Sequence, residues 1–161
     1  MFELSSIIDE NIVNVKYRAK QKGISILTDY VHPYKVYADE DMVKLIIRNL
    51  LSNAIKFTGN EGFIRIEFEQ KDKFLEVKFI DNGIGITEEN IEKILSDKEF
   101  YSTQGTANEK GTGLGLKLTK SFIVLNKGEL KIESEKGVGT RFIFTLPLYD
   151  FWFIDIIADT D

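Results

Sequence analysis

Two asparagines and a lysine lie along one side of a predicted helix. Asn49, Asn53 and Lys56 are spaced four and three residues apart, so in a helix they form a single polar stripe. The positions from Met42 to Ile55 are otherwise mostly apolar, which indicates a largely buried helix. A buried amide needs a hydrogen-bond partner, and an amide oxygen can ligate a hard cation while an ammonium faces an anion. The stripe is therefore either a site for a metal-bound anion or two structural asparagines with a lysine at a helix end.

An acidic motif with two glycines follows a predicted strand. The strand, Phe74 to Ile80, alternates between apolar and polar residues, and Asp81-Asn82-Gly83-Ile84-Gly85-Ile86 comes directly after it. The glycines permit positive φ angles and a close approach of the backbone to a ligand. A carboxylate held there could accept a hydrogen bond from an exocyclic amine such as that of adenine. The alternative is a simple turn formed by the Asp-Asn-Gly sequence.

A second glycine cluster lies where a polar loop enters a predicted helix. Its sequence is Gly111-Thr112-Gly113-Leu114-Gly115-Leu116. Free N–H groups at a helix N-terminus, together with the helix dipole, favour an anion such as phosphate. The spacing differs from the dinucleotide fingerprint G-x-G-x-x-G, and the chain contains no G-x-x-x-x-G-K-[ST], H-R-D or D-F-G motif. The cluster indicates a phosphate contact of a kind that differs from those of Rossmann folds, P-loops and eukaryotic-type kinases.

The hydrophobic pattern predicts the elements that must position these motifs. The first predicted helix runs from the N-caps Ser5 or Ser6 to about Lys22, with Gly23 as its stop. Further predicted helices run from the cap Asp39 through the asparagine stripe, from Thr87 to about Leu95, and from about Gly113 to Asn126. Predicted strands are Ile24 to Tyr30, Lys35 to Ala38 (beyond a His32-Pro33 turn), Phe63 to Gln70, Phe74 to Ile80, Leu130 to Ser134 and Thr140 to Pro147. This order predicts an α/β (α+β) two-layer sandwich with a mixed, mostly antiparallel sheet of about five strands and three main helices on one face.

Two segments fit neither a helix nor a strand. Residues from about 96 to 112 are polar and aperiodic, which is typical of a functional lid or a disordered loop. From Asp150 to Asp161, aromatic and aliphatic residues are mixed with aspartates, and we expect this tail to pack on the domain or on a partner. The expected organisation is one domain over residues 1–149, followed by a tail over 150–161 whose role stays open.

The composition excludes several classes of function. The chain has 161 residues, a net charge of −5 and no cysteine. The acidic balance argues against a nucleic-acid partner, and the lack of cysteine excludes disulfides and thiolate metal sites. No apolar run is long enough to span a membrane, and the N-terminus lacks the pattern of a signal peptide. We expect a cytoplasmic domain without direct membrane contact, and any membrane anchor of a longer parent protein would lie outside this chain.

In their order along the chain, these motifs resemble the ATP-binding domain shared by sensor histidine kinases, gyrase-type topoisomerases, Hsp90 and MutL. Asn49 to Phe57 resembles that superfamily's N box, Asp81 to Gly85 its G1 box and Gly111 to Leu116 its G2 box. The segment from Ser134 to Pro147 is similar to its closing hairpin. The Lys-Phe-Thr sequence at the N box, and the opening from Phe2 to Ile8, resemble the histidine kinases in particular. The resemblance covers nearly the whole chain and implies a Bergerat-type fold that binds ATP with Mg²⁺.

The resemblance also implies roles for individual residues of the N box. Asn53 would ligate a Mg²⁺ ion that bridges the phosphates of ATP, and Asn49 would support it from one turn earlier. Lys56 and Phe57 would border the triphosphate. Asn49 and Lys56 are thus the candidate catalytic residues, and Asn53 is the candidate metal ligand.

For the nucleotide itself, the resemblance implies that Asp81 accepts from the adenine amino group, with Thr140 nearby. The remaining candidates would close around the nucleotide: Gly83, Gly85, Lys110, Gly111, Thr112, Gly113, Leu114, Gly115 and Leu116. The lid departs from the family pattern, since Leu95 stands where Phe is common and Ser102 where a basic residue often reaches the γ-phosphate. Lys98 and Lys110 are candidates for that basic residue.

The residue type at position 49 favours one of the superfamily's reactions. The hydrolytic ATPases carry a Glu four residues before the metal-binding Asn, whereas Asn49 is an amide that cannot take up a proton near neutral pH. The resemblance therefore implies transfer of the γ-phosphate to a histidine, promoted by positioning and charge neutralisation. The only histidine, His32, precedes Pro33 and is predicted to lie in a loop.

The implied acceptor is consequently a histidine on a dimerisation domain that this chain does not contain. A response regulator would be reached through the parent protein. Two alternatives stay open from the sequence: a hydrolytic ATPase of the same superfamily, and a nucleotide-binding module without kinase activity.

Overall fold

A computed structural model describes residues 1–30, 32–96, 104–109 and 114–150 of the chain. Its elements in chain order are β1 (Phe2–Glu3), α1 (Leu4–Gln21), β2 (Ser25–Asp29), β3 (Lys35–Val36), α2 (Glu40–Phe57), β4 (Phe63–Lys71), β5 (Phe74–Asp81), α3 (Glu88–Leu95), α4 (Gly115–Leu125), β6 (Leu130–Glu135) and β7 (Gly139–Pro147). Lys110, Gly111, Thr112 and Gly113 lie outside the described residues, as do most of the predicted lid and the tail from residue 151 onward. Among the described helices, none is long and apolar enough to cross a membrane.

Five strands form the main sheet in the order β2-β4-β5-β7-β6. Strand β2 runs parallel to β4, and the other neighbouring strands are antiparallel. Along β5 the side chains alternate between buried and half-buried, which is the period-two pattern of a sheet covered on one face. The predicted two-layer α/β sandwich with a mixed, mostly antiparallel sheet is confirmed.

Helix α2 lies at the centre of the helical layer, between α1 and α4 and against β5. Its apolar side chains Val43, Ile46, Ile47, Leu50 and Leu51 are fully buried. Burial of this kind is worth about 1.5–3 kcal/mol for each large aliphatic side chain, so the position of α2 is strongly determined. The polar stripe on α2 is therefore held in one orientation relative to the sheet.

Three helix ends, one of α2 and two of α1, illustrate where local sequence signals succeed and fail. Asp39 caps α2 as predicted, since its Oδ1 accepts from the N–H of Met42 at 2.9 Å. Gly23, with φ +64°, ends α1 as predicted. The serine caps predicted for α1 are wrong. The helix begins directly after Glu3, and the Ser5 hydroxyl donates to the Glu3 carboxylate instead of capping.

The entry into α1 is fixed by strand pairing that the local pattern did not indicate. Phe2 pairs with Val36 in a separate two-stranded sheet formed by β1 and β3. The N–H of Leu4 donates to the carbonyl of Tyr34 at 3.1 Å. The two strands on either side of His32 accordingly belong to different sheets, because β2 pairs with β4.

Candidate functional site

A pocket that is partly open to solvent lies between α2, α4 and the strands β5 and β7. Its polar lining consists of Asn53, Asp81 and Thr140. Its apolar and backbone lining consists of Phe57, Ile84, Gly85, Ile86, Leu116 and Phe142. A mostly apolar cleft with a few convergent polar groups is the usual form of a small-molecule site.

Asp81 supplies the buried acceptor of this pocket. It is the last residue of β5, it is 7% exposed, and its Oδ1 accepts from the N–H of Gly83 at 2.8 Å. Burial raises the pKa of the Asp81 carboxyl from 3.8 to about 6, although backbone hydrogen bonds from Gly83 and Thr140 act in the opposite direction. The group is thus largely ionised at neutral pH, and it can accept a hydrogen bond from a ligand amine.

Thr140 lies beside Asp81, and its hydroxyl belongs to a small network. The Thr140 and Ser134 hydroxyl oxygens are 2.8 Å apart. The Ser134 oxygen accepts from the N–H of Ile86 at 2.8 Å and donates to the carbonyl of Gly139 at 2.8 Å. This network joins the loop after β5 to the β6–β7 hairpin, so both sides of the pocket are fixed relative to each other.

The two glycines after Asp81 have an intramolecular role. A Cβ atom at Gly83 would collide with the carbonyl of Phe57, and one at Gly85 would collide with the carbonyl of Glu135. Gly85 also has φ +70°. The N–H of Ile84 donates to the Phe57 carbonyl at 3.1 Å, which holds the loop against the end of α2. Close approach to a ligand was the expected reason for these glycines, but the protein's own backbone already requires both of them.

The two asparagines of the polar stripe on α2 have different roles. Asn53 lines the pocket. Asn49, one turn earlier, is half-buried and does not; its amide N–H donates to the Gly115 carbonyl and to the Thr119 hydroxyl, each at 3.3 Å. Asn49 therefore joins α2 to the first turn of α4. A Cβ atom at Gly115 would lie 3.8 Å from Asn49, which is ordinary contact, so these neighbours do not require a glycine there.

Lys56 lies next to the pocket and is not part of its lining. Its side chain is 8% exposed, and its ammonium lies 4.8 Å from the centre of the Phe57 ring. That distance is typical of a cation–π contact. Gly105, from the 104–109 segment of the predicted lid, packs directly on the Lys56 side chain.

The structure thus brings together six of the residues singled out from the sequence: Asn53, Phe57, Asp81, Gly85, Leu116 and Thr140. Asn49, Lys56, Gly83 and Gly115 lie around the pocket without lining it, and Leu114 is exposed. Lys110, Gly111, Thr112 and Gly113 lie outside the described residues. The pocket residues that the sequence reading missed are Ile84, Ile86 and Phe142. Phe142 could have been found, since it is two residues from Thr140 in a strand and shares its face.

The described residues of the pocket offer few ligands for a metal ion. Within the described ranges, no group of three or more His, Cys, Asp or Glu side chains could hold a metal by itself. Asn53 offers one amide oxygen in the pocket that also contains the Asp81 carboxylate. Such a sparse donor set suits Mg²⁺, which commonly keeps waters and takes most of its remaining ligands from phosphate oxygens.

His32 is remote from this chemistry. It is exposed and lies outside the helices and strands, as predicted. It borders a different groove, together with Asp29, Tyr30, Tyr34 and Glu67. The described structure therefore gives no contact between this histidine and the pocket.

Comparison with known proteins shows extensive similarity. A family model described as "Histidine kinase-, DNA gyrase B-, and HSP90-like ATPase" matches residues 38–150. The Non-motile and phage-resistance protein of Caulobacter vibrioides is 36% identical over 149 residues, which are 90% of this chain and 18% of that protein. The Sensor-like histidine kinase SenX3 of Mycolicibacterium smegmatis is 30% identical over 149 residues, 91% of this chain and 38% of that protein.

Solved structures give the same result at the level of the fold. The nucleotide-free catalytic domain of the histidine kinase ThkA superposes with a TM-score of 0.76 at 32% identity, over 91% of this chain and 93% of that one. This chain thus matches a catalytic domain over nearly its whole length, whereas it spans less than two-fifths of either curated relative.

Proposed function

The chain belongs to the histidine kinase-, DNA gyrase B- and HSP90-like ATPase family, and we propose that it binds ATP with Mg²⁺ in this pocket and transfers the γ-phosphate to a histidine outside this chain. Its sequence and fold are those of the ATP-binding catalytic domains of sensor histidine kinases. The observation that carries the proposal is the buried Asp81 carboxylate at the side of an apolar pocket that also contains Asn53.

Asp81 would recognise the adenine ring. Its carboxylate accepts hydrogen bonds and is flanked by the aliphatic walls Ile84, Ile86 and Leu116, between which a flat ring could lie. An exocyclic amine donating to this carboxylate would satisfy an acceptor that burial has removed from water. Thr140, whose hydroxyl lies in the same lining, would select the edge of the ring that faces β7.

Asn53 would hold Mg²⁺ together with the phosphate oxygens, and when bound the ion would supply charge neutralisation of the triphosphate. The amide oxygen of Asn53 is a suitable ligand because it is neutral and does not compete with phosphate for the positive charge. Lys56 would add positive charge beside Phe57 at this end of the site. Lys110 and the glycines up to Gly115 would contribute backbone N–H groups and a cation to the phosphates.

Asn49 favours phosphoryl transfer over hydrolysis. A water molecule needs a base to become a good nucleophile, and a carboxamide has no basic atom near neutral pH. The Asn49 amide is moreover engaged with Gly115 and Thr119, which suits a structural support for the site. An imidazole needs no such base, because its unprotonated nitrogen can attack the γ-phosphorus while the bond to the ADP oxygen breaks. Positioning and charge neutralisation then supply most of the catalysis.

The acceptor histidine would belong to a dimerisation domain of the same parent protein, and the response regulator would be reached through that parent. His32 is unsuited to the role because it lies in a loop away from the pocket. The curated relatives are longer than this chain, which leaves room for such domains in proteins of this type. We propose a cytoplasmic location for the domain, because ATP is supplied there.

The deciding experiment supplies the acceptor in trans. The chain is incubated with γ-labelled ATP, Mg²⁺ and a purified dimerisation domain, and acid-labile, base-stable label on that domain is measured alongside released phosphate. We expect label on the added domain, none on this chain, and little free phosphate. Steady phosphate release without transfer would contradict the proposal in favour of an ATPase. Binding of ATP with neither reaction would indicate a module that only binds nucleotide.

A further inference from the structure

A cluster of polar contacts outside the pocket joins α1, α2 and the 104–109 segment. Lys22, the residue after α1, has a side chain that is 11% exposed. Its ammonium lies 2.9 Å from the carbonyl of Ile55 and 3.2 Å from that of Lys56, both in the last turn of α2. The same ammonium lies 2.8 Å from the Thr106 hydroxyl and 2.7 Å from a carboxylate oxygen of Glu109. One cation therefore contacts the end of a helix and a loop at the same time.

These contacts have a clear physical basis. The last carbonyls of a helix lack intrahelical partners and carry the negative end of the helix dipole, so a cation is stabilised there. An ammonium removed from water needs acceptors for its three protons, and the helix and the loop provide them. Burial alone would raise the pKa of Glu109. The opposite effect is stronger: Glu109 accepts hydrogen bonds from Lys22 and from backbone amides and lies beside the Lys22 charge, so its pKa is below the usual range. Glu109 is therefore ionised at neutral pH and balances the charge of Lys22.

The 104–109 segment also contacts Lys56 directly. The N–H of Thr106 donates to the Lys56 carbonyl at 3.0 Å. Gly105 is buried, and a Cβ atom there would lie 2.5 Å from the Lys56 Cγ and 2.8 Å from its carbonyl oxygen. The segment is thus seated on Lys56 too closely for any side chain at position 105. Its position determines how the Lys56 side chain can lie next to Phe57 and the pocket.

We propose that Lys22 is a positioning residue of the nucleotide site: it fastens the 104–109 segment to the end of α2 and thereby holds Lys56 in place beside the pocket. This inference rests on the nucleotide-binding function proposed above. Lys22 does not line the pocket and acts through its neighbours. Without its ammonium, the carbonyls of α2 would lose a donor and the charge of Glu109 would lose its partner.

The anchoring is tested without nucleotide. Native-state hydrogen exchange at the Thr106 amide is compared between the wild type and Lys22→Met. The matched control is Lys20→Met, at an exposed lysine in the last turn of α1. We expect exchange at Thr106 to become at least about tenfold faster in Lys22→Met, because loss of a charge-assisted contact favours local opening. It should stay close to wild type in Lys20→Met. Unchanged exchange in Lys22→Met would overturn the anchoring.

The positioning role is tested by the affinity for a non-hydrolysable ATP analogue with Mg²⁺. We expect Lys22→Met to bind it about three- to tenfold more weakly, with a smaller loss for adenosine, which lacks phosphates. Lys22→Arg keeps the charge and should restore most of the affinity. Faster exchange at Thr106 with unchanged affinity would overturn the positioning role.

A second variant tests the proposal independently, in case Lys22→Met does not fold. Glu109→Gln removes the balancing charge from the loop side and leaves α1 intact, and we expect the same two effects at smaller size. Normal exchange and affinity in this variant would speak against the proposal. If the wild-type chain binds no analogue, the proposed function and the positioning role both fail, while exchange at Thr106 still decides the anchoring.

Discussion

Asp81 and Thr140 are paired directly across the antiparallel strands β5 and β7, and both are almost fully buried at the side of the same pocket. The pairing brings a carboxylate from the middle of the chain beside a hydroxyl from its last hairpin. Because sheet register places the Cα atoms of such a pair about 4.5–5.5 Å apart, the backbone positions of both polar groups are fixed by the sheet.

Asp81→Asn is expected to weaken ATP binding at least about tenfold, because an amide presents only one acceptor oxygen and its NH₂ group opposes an incoming amine. Calorimetry with ATP and Mg²⁺ measures the change. The matched control is Asp72→Asn, an identical substitution at an exposed turn of the β4–β5 hairpin, which should bind as the wild type does. Equal affinity of the two variants would remove Asp81 from the site.

The same substitution should stabilise the nucleotide-free protein at neutral pH. Burial raises the folded pKa of Asp81 to about 6 from 3.8, so the folded state binds the proton more tightly than the unfolded state. The protonated Asp81 carboxyl therefore imposes no penalty on the folded state below about pH 4. As the pH rises through about 6 the carboxyl ionises in the folded protein, and the free energy of unfolding at neutral pH is lower by roughly 3 kcal/mol than it would be without the shift.

Asp81→Asn has no charge to bury, so its free energy of unfolding should exceed that of the wild type by up to about 3 kcal/mol at pH 7.5. Near pH 4 the two proteins should be about equally stable. Urea unfolding at both values measures the difference in free energy. A difference that does not change with pH would mean that Asp81 is not desolvated in the folded protein.

Asn53→Ala tests the proposed metal ligand. We expect ATP affinity in the presence of Mg²⁺ to fall about tenfold or more, because the substitution removes the proposed protein ligand of the ion. The affinity measured in EDTA should change little. Asn60→Ala, at an exposed turn after α2, is the control. An equal loss with and without Mg²⁺ would assign Asn53 to the nucleotide and not to the metal.

The glycines after Asp81 provide a test of the backbone contacts. Gly85→Ala should lower the free energy of unfolding by about 3 kcal/mol or more, because it combines a positive φ with a collision against the Glu135 carbonyl. Gly137→Ala is matched in backbone, with φ +83°, but has open space around the new methyl group. It should cost only about 1 kcal/mol. Similar losses in thermal or urea unfolding would show that the Glu135 contact is unimportant.

Asn49 and Thr119 should be energetically coupled, because the Asn49 amide donates to the fully buried Thr119 hydroxyl. Asn49→Ala is expected to cost about 1–2 kcal/mol, and Thr119→Val a similar amount. The double variant should cost less than both losses together, with a coupling energy of about 0.5–1 kcal/mol in a double-mutant cycle. Strict additivity would indicate that Asn49 supports α4 through Gly115 alone.

Much of the fold could be predicted from the sequence because its signals are local. The capping of α2 by Asp39, the end of α1 at Gly23 and the alternation along β5 each depend on a few neighbouring residues. Asn53 of the polar stripe and the motif at Asp81 also indicated two walls of the pocket, because helical spacing and a strand end orient side chains predictably. The order of these motifs was sufficient to indicate the family, which the comparisons confirm.

Contacts between residues distant in the sequence were decided only by the tertiary structure. The register of β5 against β7 placed Phe142 in the pocket, and the packing of α2 on α4 turned Asn49 toward Thr119 and away from the pocket. The loop after Asp81 packs on the end of α2 so closely that position 83 must be a glycine, and no local sequence pattern indicates this contact. Periodicity states which face of an element is buried, but the partner on that face is chosen by the folding of the whole chain.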